Sequence, residues 1–381
     1  MAEKLKTFHL ITKLELGGAQ GNTLHTVRNL NKERYGAVLL TGKGGILDKE
    51  AGNALFLRFL KREVNPLSDF LALIELWHIF RREKPDILHT HSSKAGILGR
   101  LAGRLAGVPV IVHTFHGFGF NGTQPKLVEK FYHALERALA SCADKLVFVS
   151  ETNRELAREL HIGSPDQYEL IRSGIKLSEY PARNADAAAL RAELGLPERG
   201  PVVVTVGNLK PQKNPLDFVR TAQEVLKACP DAVFLYLGDG PLRAETEKLA
   251  RELGVADRCF FPGWRRDVPQ IMAVSSVFIL TSLWEGLPRS LVQAIRSGLP
   301  CSVYITDGVT DIIDNGRNGF LIPSRDTKRM AETVISLLKN ASLRAKIAGT
   351  AAKTDLADFD IDAMVRRQEE LYERIIKVKG K

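Results

Sequence analysis

Short apolar runs alternate with helical patterns along most of this chain, and that alternation constrains the fold more than any other feature. In the second half, the apolar run Val202–Val206 is typical of a strand buried on both faces, and it leads into a polar loop and a helix. The runs Val233–Leu237 and Val277–Thr281 repeat the arrangement. The first half shows it too, from Lys6–Ile11 to Lys145–Val149. We therefore predict doubly wound α/β units with parallel sheets.

The length of the chain favours two domains. At 381 residues it exceeds what one hydrophobic core usually serves. The alternation weakens near Ile171–Ile175 and in the Ala-, Asn- and Asp-rich stretch at 182–189, which we interpret as a link. We predict an N-terminal domain over residues 1–175 and a C-terminal domain over residues 176–359.

Composition excludes several classes of protein. The four cysteines are scattered without a C-x-x-C pair, which fits a reducing cytosol. No apolar run approaches the ~18–20 residues of a membrane span, and the start MAEKLKTFHLIT lacks the apolar block of a signal peptide. We therefore expect a cytoplasmic protein. The formal charge of +10 fits either simple solubility or anionic partners, meaning a nucleotide diphosphate, an anionic membrane surface or both. We expect no nucleic acid, because no basic stretch is interleaved with aromatic residues.

One stretch of the second half, Phe278–Leu299, has the pattern of an anion site. An apolar strand leads into the polar loop Ser282–Arg289 and then into the short helix Ser290–Ser297, closed by glycine and proline. The first turn of such a helix has unpaired N–H groups that attract anions. The loop carries Glu285, and the helix carries Gln293. A carboxylate beside an anion site suits a ligand that has both phosphate and hydroxyl groups.

Other candidate site residues also follow predicted strands. Lys213 lies between a buried strand and a helix, where a cation would face a diphosphate. Gly17 and Gly18 follow the first strand and let backbone approach a ligand, although a glycine pair also makes an ordinary turn. His116 lies among glycines just past a strand end, where open α/β sheets place their sites, and a purely structural role for it is the alternative.

Two patterns suggest metal ions but are better explained otherwise. His89 and His91 share one face of a predicted strand, yet the sequence offers no apparent third ligand. The segment Asp358–Asp360 spells D-x-D just before a helix, where a capping role is expected. We predict no metal site and no cofactor.

Taken in order, the motifs resemble a known family. The segments VGNLKPQKN, GDGPL, FPGWRRDV and LTSLWEGLPRSLVQAIRSGLP look like the C-terminal domain of retaining glycosyltransferases of family 4, which have the GT-B fold. The segments LGGAQ, ILHTHSSKAG, VHTFHG and VFVSE look like the N-terminal domain of that family. The resemblance runs from about residue 6 to residue 375. It implies two Rossmann-like, doubly wound domains facing across a cleft, with the terminal helix 360–381 packing back on the first.

The resemblance also implies roles for individual residues. His116 would lie near the transferred sugar, Lys213 would neutralise the diphosphate leaving group, and Glu285 would face the donor sugar. The chemistry of the family is metal-independent transfer with retention of configuration, so the protein stabilises charge on the departing phosphate. The remaining residues of the implied donor site are Gly17, Gly18, Asn208, Leu287, Pro288, Arg289 and Gln293.

This chain departs from the family pattern at two positions. Asn208 stands where the family usually has an arginine beside the diphosphate, and the candidates to replace that cation are Lys210, Arg265, Arg266 and Arg289. Gln293 stands where the family has the second glutamate of E-x7-E. An amide can accept one hydrogen bond from a ribose diol and donate one, whereas a carboxylate accepts two charge-assisted bonds. We interpret this as a tuned donor site.

The resemblance predicts transfer of a hexose-type sugar from a nucleotide-diphosphate sugar, with a UDP-sugar favoured over a GDP-sugar. The acceptor would be a cell-envelope polysaccharide or a lipid-linked molecule, with Phe118 and Phe120 as apolar contacts. The basic balance leaves open a peripheral contact with the inner face of the cytoplasmic membrane. Two alternatives remain: a sugar-nucleotide epimerase of the same fold, and a non-catalytic nucleotide-sugar-binding subunit.

Overall fold

The computed structural model describes residues 4–120, 124–181 and 186–380. The chain divides into two compact units. The first unit consists of Met1–Gly174 together with Asp358–Lys381, and the second unit is Ile175–Ala357. The chain therefore leaves the first unit once and returns to it through its terminal helix.

The first unit is built on a sheet of seven strands in the order β3-β2-β1-β4-β5-β6-β7, all paired in parallel. Its strands are β1 (Leu5–Lys13), β2 (Tyr35–Gly42), β3 (Leu55–Leu57), β4 (Ile87–His91), β5 (Val110–Phe115), β6 (Lys145–Phe148) and β7 (Tyr168–Leu170). Its helices are α1 (Gly18–Asn29), α2 (Pro66–Glu83), α3 (Ser93–Ala106), α4 (Lys126–Ala140) and α5 (Glu151–Glu159).

The second unit has a sheet of six parallel strands in the order β10-β9-β8-β11-β12-β13. Its strands are β8 (Val202–Val206), β9 (Val233–Leu237), β10 (Cys259–Gly263), β11 (Val277–Leu280), β12 (Cys301–Tyr304) and β13 (Gly319–Ile322). Its helices are α6 (Ala187–Glu193), α7 (Pro215–Ala228), α8 (Arg243–Glu252), α9 (Val268–Ala273), α10 (Arg289–Arg296), α11 (Thr327–Lys339) and α12 (Ala341–Ala352). Both sheets confirm the predicted doubly wound, parallel α/β architecture.

The terminal helix α13 (Ile361–Val378) belongs to the core of the first unit. Its residues Leu371 and Tyr372 are fully buried in one cluster with residues of β4 and β5. The helix starts where the Asp360 carboxylate accepts hydrogen bonds at 3.0 Å from the N–H groups of Asp362 and Ala363. The D-x-D segment therefore caps a helix, as the sequence predicts.

Several elements differ from the sequence prediction. The helical pattern of the sequence at Thr23–Leu30 predicts a helix from Thr23, but helix α1 begins five residues earlier, at Gly18, where the sequence lacks the apolar spacing of a core-facing helix. Strands β3 and β7 are three residues each, too short for a clear alternation. Part of the predicted link 182–189 lies outside the described residues, and its end is helical instead, since Asp186 caps α6.

No helix among the described residues is both long enough and apolar enough to cross a bilayer.

Candidate active site

In the second unit, the loops that follow β8 and β11 are bound to each other. These strands are neighbours at the point where the strand order reverses, which is where open α/β sheets form their binding crevice. The Gln212 side chain donates to the Trp284 carbonyl at 2.9 Å, and the Leu283 N–H donates to the Gln212 carbonyl at 2.8 Å. The Thr281 hydroxyl donates to the carbonyls of Lys213 and Asn214. The two loops therefore form one rigid platform.

Lys213 and Glu285 form an ion pair on this platform. Their side chains are 14% and 7% exposed, so the pair is shielded from most of the solvent. Asn214, which follows the lysine, adopts a left-handed conformation with φ 47° and ends the turn that holds Lys213. Asparagine tolerates that conformation better than most residues. The structure thus brings together two predicted site residues that are 72 positions apart.

The loop after β9 closes against the same platform. A side chain at Gly238, where φ is 149°, would place its Cβ 1.9 Å from the Gly207 carbonyl oxygen. At Gly240 the Cβ would lie 2.5 Å from the Leu209 carbonyl oxygen. Glycine is therefore required for this close approach between loops, which gives the GDGP segment a structural reason.

Helix α10 begins at Arg289 with Pro288 as its N-cap, immediately after the buried Leu287. Burial lowers the pKa of the Arg289 guanidinium, while the Tyr180 phenol nearby opposes that shift. The Gln293 side chain hydrogen-bonds the Tyr180 hydroxyl, whose pKa is raised mainly by its burial. Sequence analysis did not find Tyr180, because nothing in the sequence marks a contact across more than a hundred residues.

Arg265, one of the four cations considered as replacements at Asn208, is engaged by two carboxylates. Arg265 pairs with Asp267 at 2.7 Å and with Glu193 at 2.6 Å. These two acceptors raise its pKa. Recruiting Arg265 to a diphosphate would require breaking both pairs, so it is a poor candidate.

In the first unit, Gly17 and Gly18 form the start of α1. Gly17 is the N-cap with an extended backbone, and a Cβ there would meet only the end of the flexible Gln20 side chain. Gly17 therefore has no steric requirement within the unit. A twelve-residue helix begins here directly after β1 and offers first-turn N–H groups.

His116 follows β5 and lies next to other histidines. Its Nε2 is 3.3 Å from His91 Nδ1, and His91 Nε2 is 3.1 Å from His9 Nδ1. His89 stacks on His91, with ring centroids 4.3 Å apart. These rings come from the neighbouring strands β1 and β4 and from the residue that follows β5, and residues of like parity in a strand share one face of the sheet. Phe118 and Phe120, expected as acceptor contacts, stack on each other. Phe120 is buried in the hydrophobic core, and Phe118 is partly buried against it.

The sequence-based argument that His89 and His91 lack a third ligand is wrong, because His9 lies within 4.8 Å of both. The parallel pairing of β1 with β4, which brings His9 beside His89, is not visible in the sequence. The geometry nevertheless argues against a metal ion. Both ring nitrogens of His89 are occupied, Nδ1 by the Tyr372 hydroxyl at 2.5 Å and Nε2 by the Thr114 hydroxyl at 2.7 Å.

Together, the two parallel sheets and the cation–carboxylate platform at a strand-order reversal define the class of two-domain α/β proteins with the GT-B fold. A family model described as "Glycosyl transferases group 1" matches residues 186–354, and one described as "Glycosyltransferase Family 4" matches residues 16–179. An Escherichia coli protein named "UDP-Gal:alpha-D-GlcNAc-diphosphoundecaprenol alpha-1,3-galactosyltransferase" is 34% identical over 97% of each chain. The chain belongs to the group 1 glycosyltransferases of family 4, and it is a glycosyltransferase.

Other similar proteins agree with this assignment. An N-acetyl-alpha-D-glucosaminyl L-malate synthase of Bacillus anthracis is 25% identical over 82% of this chain and 81% of its own length. The crystal structure of Anabaena HepE with UDP and glucose matches with a TM-score of 0.84 at 20% identity, covering 97% of this chain and all of that one. A Thermosynechococcus elongatus sucrose-phosphate synthase matches with a TM-score of 0.82 at 19% identity, covering 98% of this chain and 100% of that one. At these identities the two structures establish the fold.

Proposed function

We propose that this glycosyltransferase moves a hexose-type sugar, with retention of configuration, from a nucleotide-diphosphate sugar to a lipid-linked acceptor of envelope polysaccharide synthesis. The observation that carries the proposal is the shielded Lys213–Glu285 pair where β8 and β11 end. An ammonium suits a diphosphate, and a carboxylate suits sugar hydroxyls. A UDP-sugar is favoured because the E. coli relative is named for UDP-Gal and the Anabaena structure holds UDP. The acceptor class follows the undecaprenol of the same relative.

In the proposed roles, different site residues bind different parts of the donor. Lys213 neutralises the diphosphate leaving group, and Glu285 binds hydroxyls of the sugar. Gln293 binds the ribose, and His116 contacts the transferred sugar. Lys213 and the positive end of α10 supply the charge that stabilises the departing phosphate, so we propose that transfer proceeds without a metal ion.

The experiment supplies labelled UDP-galactose, UDP-glucose and GDP-mannose to the purified protein, with and without undecaprenyl-diphosphate-GlcNAc. We expect an α-linked product from one UDP-sugar, slow donor hydrolysis without acceptor, and unchanged rates in excess EDTA. Replacing His116 or Glu285 by alanine should lower turnover at least about a hundredfold. Interconversion of sugar nucleotides would instead indicate an epimerase, and binding without turnover a non-catalytic subunit. Loss of activity in EDTA would refute the metal-independent mechanism.

We also propose that the first unit contacts the inner face of the cytoplasmic membrane through the first half of α4. Leu127 is 83% and Phe131 is 63% exposed, and the exposed Lys126 and Lys130 flank them. An exposed apolar stripe beside lysines has the chemistry of a helix that lies on an anionic lipid surface.

The distribution of apolar side chains supports this choice of unit. Among the described residues, every exposed large apolar side chain belongs to the first unit, apart from Trp264 and Ile305. A further group lies at the start of α2, where Leu67 and Phe70 are also exposed. The second unit has no comparable cluster among its described residues.

Co-sedimentation with vesicles tests this surface. We expect binding to phosphatidylglycerol vesicles that weakens with salt, and little binding to phosphatidylcholine alone. Phe131→Ser should weaken it several-fold, whereas Val378→Ser, which alters an exposed apolar residue at the end of α13, should not. Equal loss in both variants would refute α4 as the contact.

A further inference from the structure

Three imidazole rings of the first unit form a hydrogen-bonded line that ends at His116. We call His9, His91 and His116 the histidine row. The His9 and His91 rings are nearly coplanar, at 10°, with centroids 5.4 Å apart and nitrogens only 3.1 Å apart. His91 and His116 have centroids 5.5 Å and nitrogens 3.3 Å apart. Nitrogens that lie so much closer than the ring centres indicate contacts made edge to edge, as in hydrogen bonds.

The inner rings of the row are neutral at physiological pH. Burial lowers the pKa of His9 to about 3, and burial with neighbouring histidines holds the pKa of His91 well below its usual range. A neutral imidazole has one N–H donor and one lone-pair acceptor. Each contact in the row needs one of each, so the direction of the first hydrogen bond fixes the direction of the second.

The environment of His9 sets that direction. Its Nε2 is buried and has no hydrogen-bond partner among the described residues. A cavity of about 10 Å³, which has room for roughly one water molecule, is lined by His91 and His116 but not by His9. His116 Nδ1, at the other end of the row, is buried as well, but His116 lines that cavity, where a water molecule can accept its proton. A proton on His9 Nε2 would instead be a buried, unpaired N–H, which proteins rarely tolerate. The proton belongs instead on Nδ1, which donates to His91 Nε2.

The positions of the protons on His91 and His116 follow from this. His91 then carries its proton on Nδ1 and donates it to His116 Nε2. We propose that His9 and His91 are positioning residues that hold His116 as the tautomer protonated on Nδ1. His116 then has no free lone pair, because Nε2 accepts from His91 and Nδ1 carries a proton. On the proposed function, which this inference deepens, His116 donates a hydrogen bond to the sugar donor and is not the general base.

Nuclear magnetic resonance of the full-length protein labelled with ¹⁵N-histidine tests the tautomer without any substrate. Two-bond proton–nitrogen correlations distinguish the protonated from the bare ring nitrogen, and the His116 signals are those lost in His116→Gln. We expect His116 to be protonated on Nδ1. Finding it protonated on Nε2, or averaged between the two tautomers, in the wild-type protein would overturn the proposal whatever the variants of His9 and His91 do.

Variants along the row test its direction. His91→Asn retains an amide near the position of Nδ1, so it can still donate to His116 and should preserve the His116 tautomer. His91→Gln retains an amide only near the position of Nε2, towards His9, and should give a mixture of the two His116 tautomers. His9→Leu should also give a mixture, although His9 does not contact His116. The matched control is His89→Gln, since His89 stacks on His91 without bonding to the row. An unchanged tautomer in both His9→Leu and His91→Gln would refute the row.

Kinetics connect the tautomer to turnover. His91→Gln should lower kcat about tenfold, the value of one interior hydrogen bond, and leave the donor KM within about twofold. His91→Asn should restore most of the rate. An unchanged kcat in His91→Gln with a mixed tautomer would refute the donor role of His116. An inactive wild-type protein with the expected tautomer would refute the proposed function and leave the row intact.

Discussion

Replacing Lys213 with methionine leaves the Glu285 carboxylate shielded without the ammonium that it contacts. Removing one partner of a buried ion pair costs about 3–5 kcal/mol. Because the two side chains retain 14% and 7% exposure, we expect the lower end, about 3 kcal/mol. For a unit of this size each kcal/mol shifts Tm by about 2–4 °C, so Tm should fall by about 6–12 °C. Glu285→Leu should have a similar effect.

The double variant Lys213→Met/Glu285→Leu separates stability from catalysis. Exchanging a buried ion pair for apolar side chains is often nearly neutral, so its Tm should return to within about 3 °C of the wild type. Its kcat should stay at least about a hundredfold low, because nothing replaces the charge that stabilises the departing phosphate.

Differential scanning calorimetry and a donor-hydrolysis assay measure both quantities. Lys227→Met is the matched control, since it breaks a solvent-exposed pair with Glu224 that is worth about 0–1 kcal/mol. If the double variant were as unstable as the sum of the single ones, the two side chains would not interact in solution. If it kept the wild-type kcat, neither residue would belong to the catalytic machinery.

Two further predictions concern Gln293 and the buried histidines. Gln293→Glu should keep kcat and lower the donor KM by a few-fold, measured by initial rates, because charge-assisted bonds to a ribose diol are stronger; an inactive wild type switched on by this change would contradict the assignment of the native chain as an enzyme. Lowering the pH from 7 to 5 should destabilise the first unit. His9 has a depressed pKa of about 3 when folded and about 6.5 when unfolded, so the unfolded chain binds the extra proton and stability falls by about 2 kcal/mol at pH 5. Urea denaturation measures the free energy of unfolding across that pH range. His9→Leu should reduce its slope against pH by about one proton, and an unchanged slope in this variant would refute the low pKa assigned to His9.

Much of the fold could be predicted because its signals are local. The runs Val202–Val206 and Val233–Leu237 coincide with strands β8 and β9, since apolar runs and flanking turns define them without help from the rest of the chain. The three-residue strands β3 and β7 could not be predicted, because edge strands of that length exist only through pairing with a neighbour. Helix α1 was predicted to begin too late because its glycine-rich first turn lacks an apolar face.

The candidate site, like the fold, could be predicted only in part. Lys213, Glu285 and His116 could be selected because each follows a strand end, a position that the sequence reveals. The contacts that these residues make could not be predicted. Strand order and register are not encoded in any local pattern. They determine the hydrogen bond from Gln212 to the Trp284 carbonyl and the pairing of His9 with His89.

The ion pair also bears on how the donor binds. Without ligand, Lys213 and Glu285 neutralise each other. On the roles proposed for them they face different parts of the donor, the diphosphate and the sugar. Binding therefore exchanges one protein ion pair for two ligand contacts, and a diphosphate without a sugar regains only one of them. Arg265 is held by Asp267 and Glu193 and residue 208 is an asparagine, so neither position supplies a further cation. The complete nucleotide-sugar should therefore bind more tightly than the nucleotide diphosphate alone, an order that competition binding can measure and that the reverse ranking would contradict.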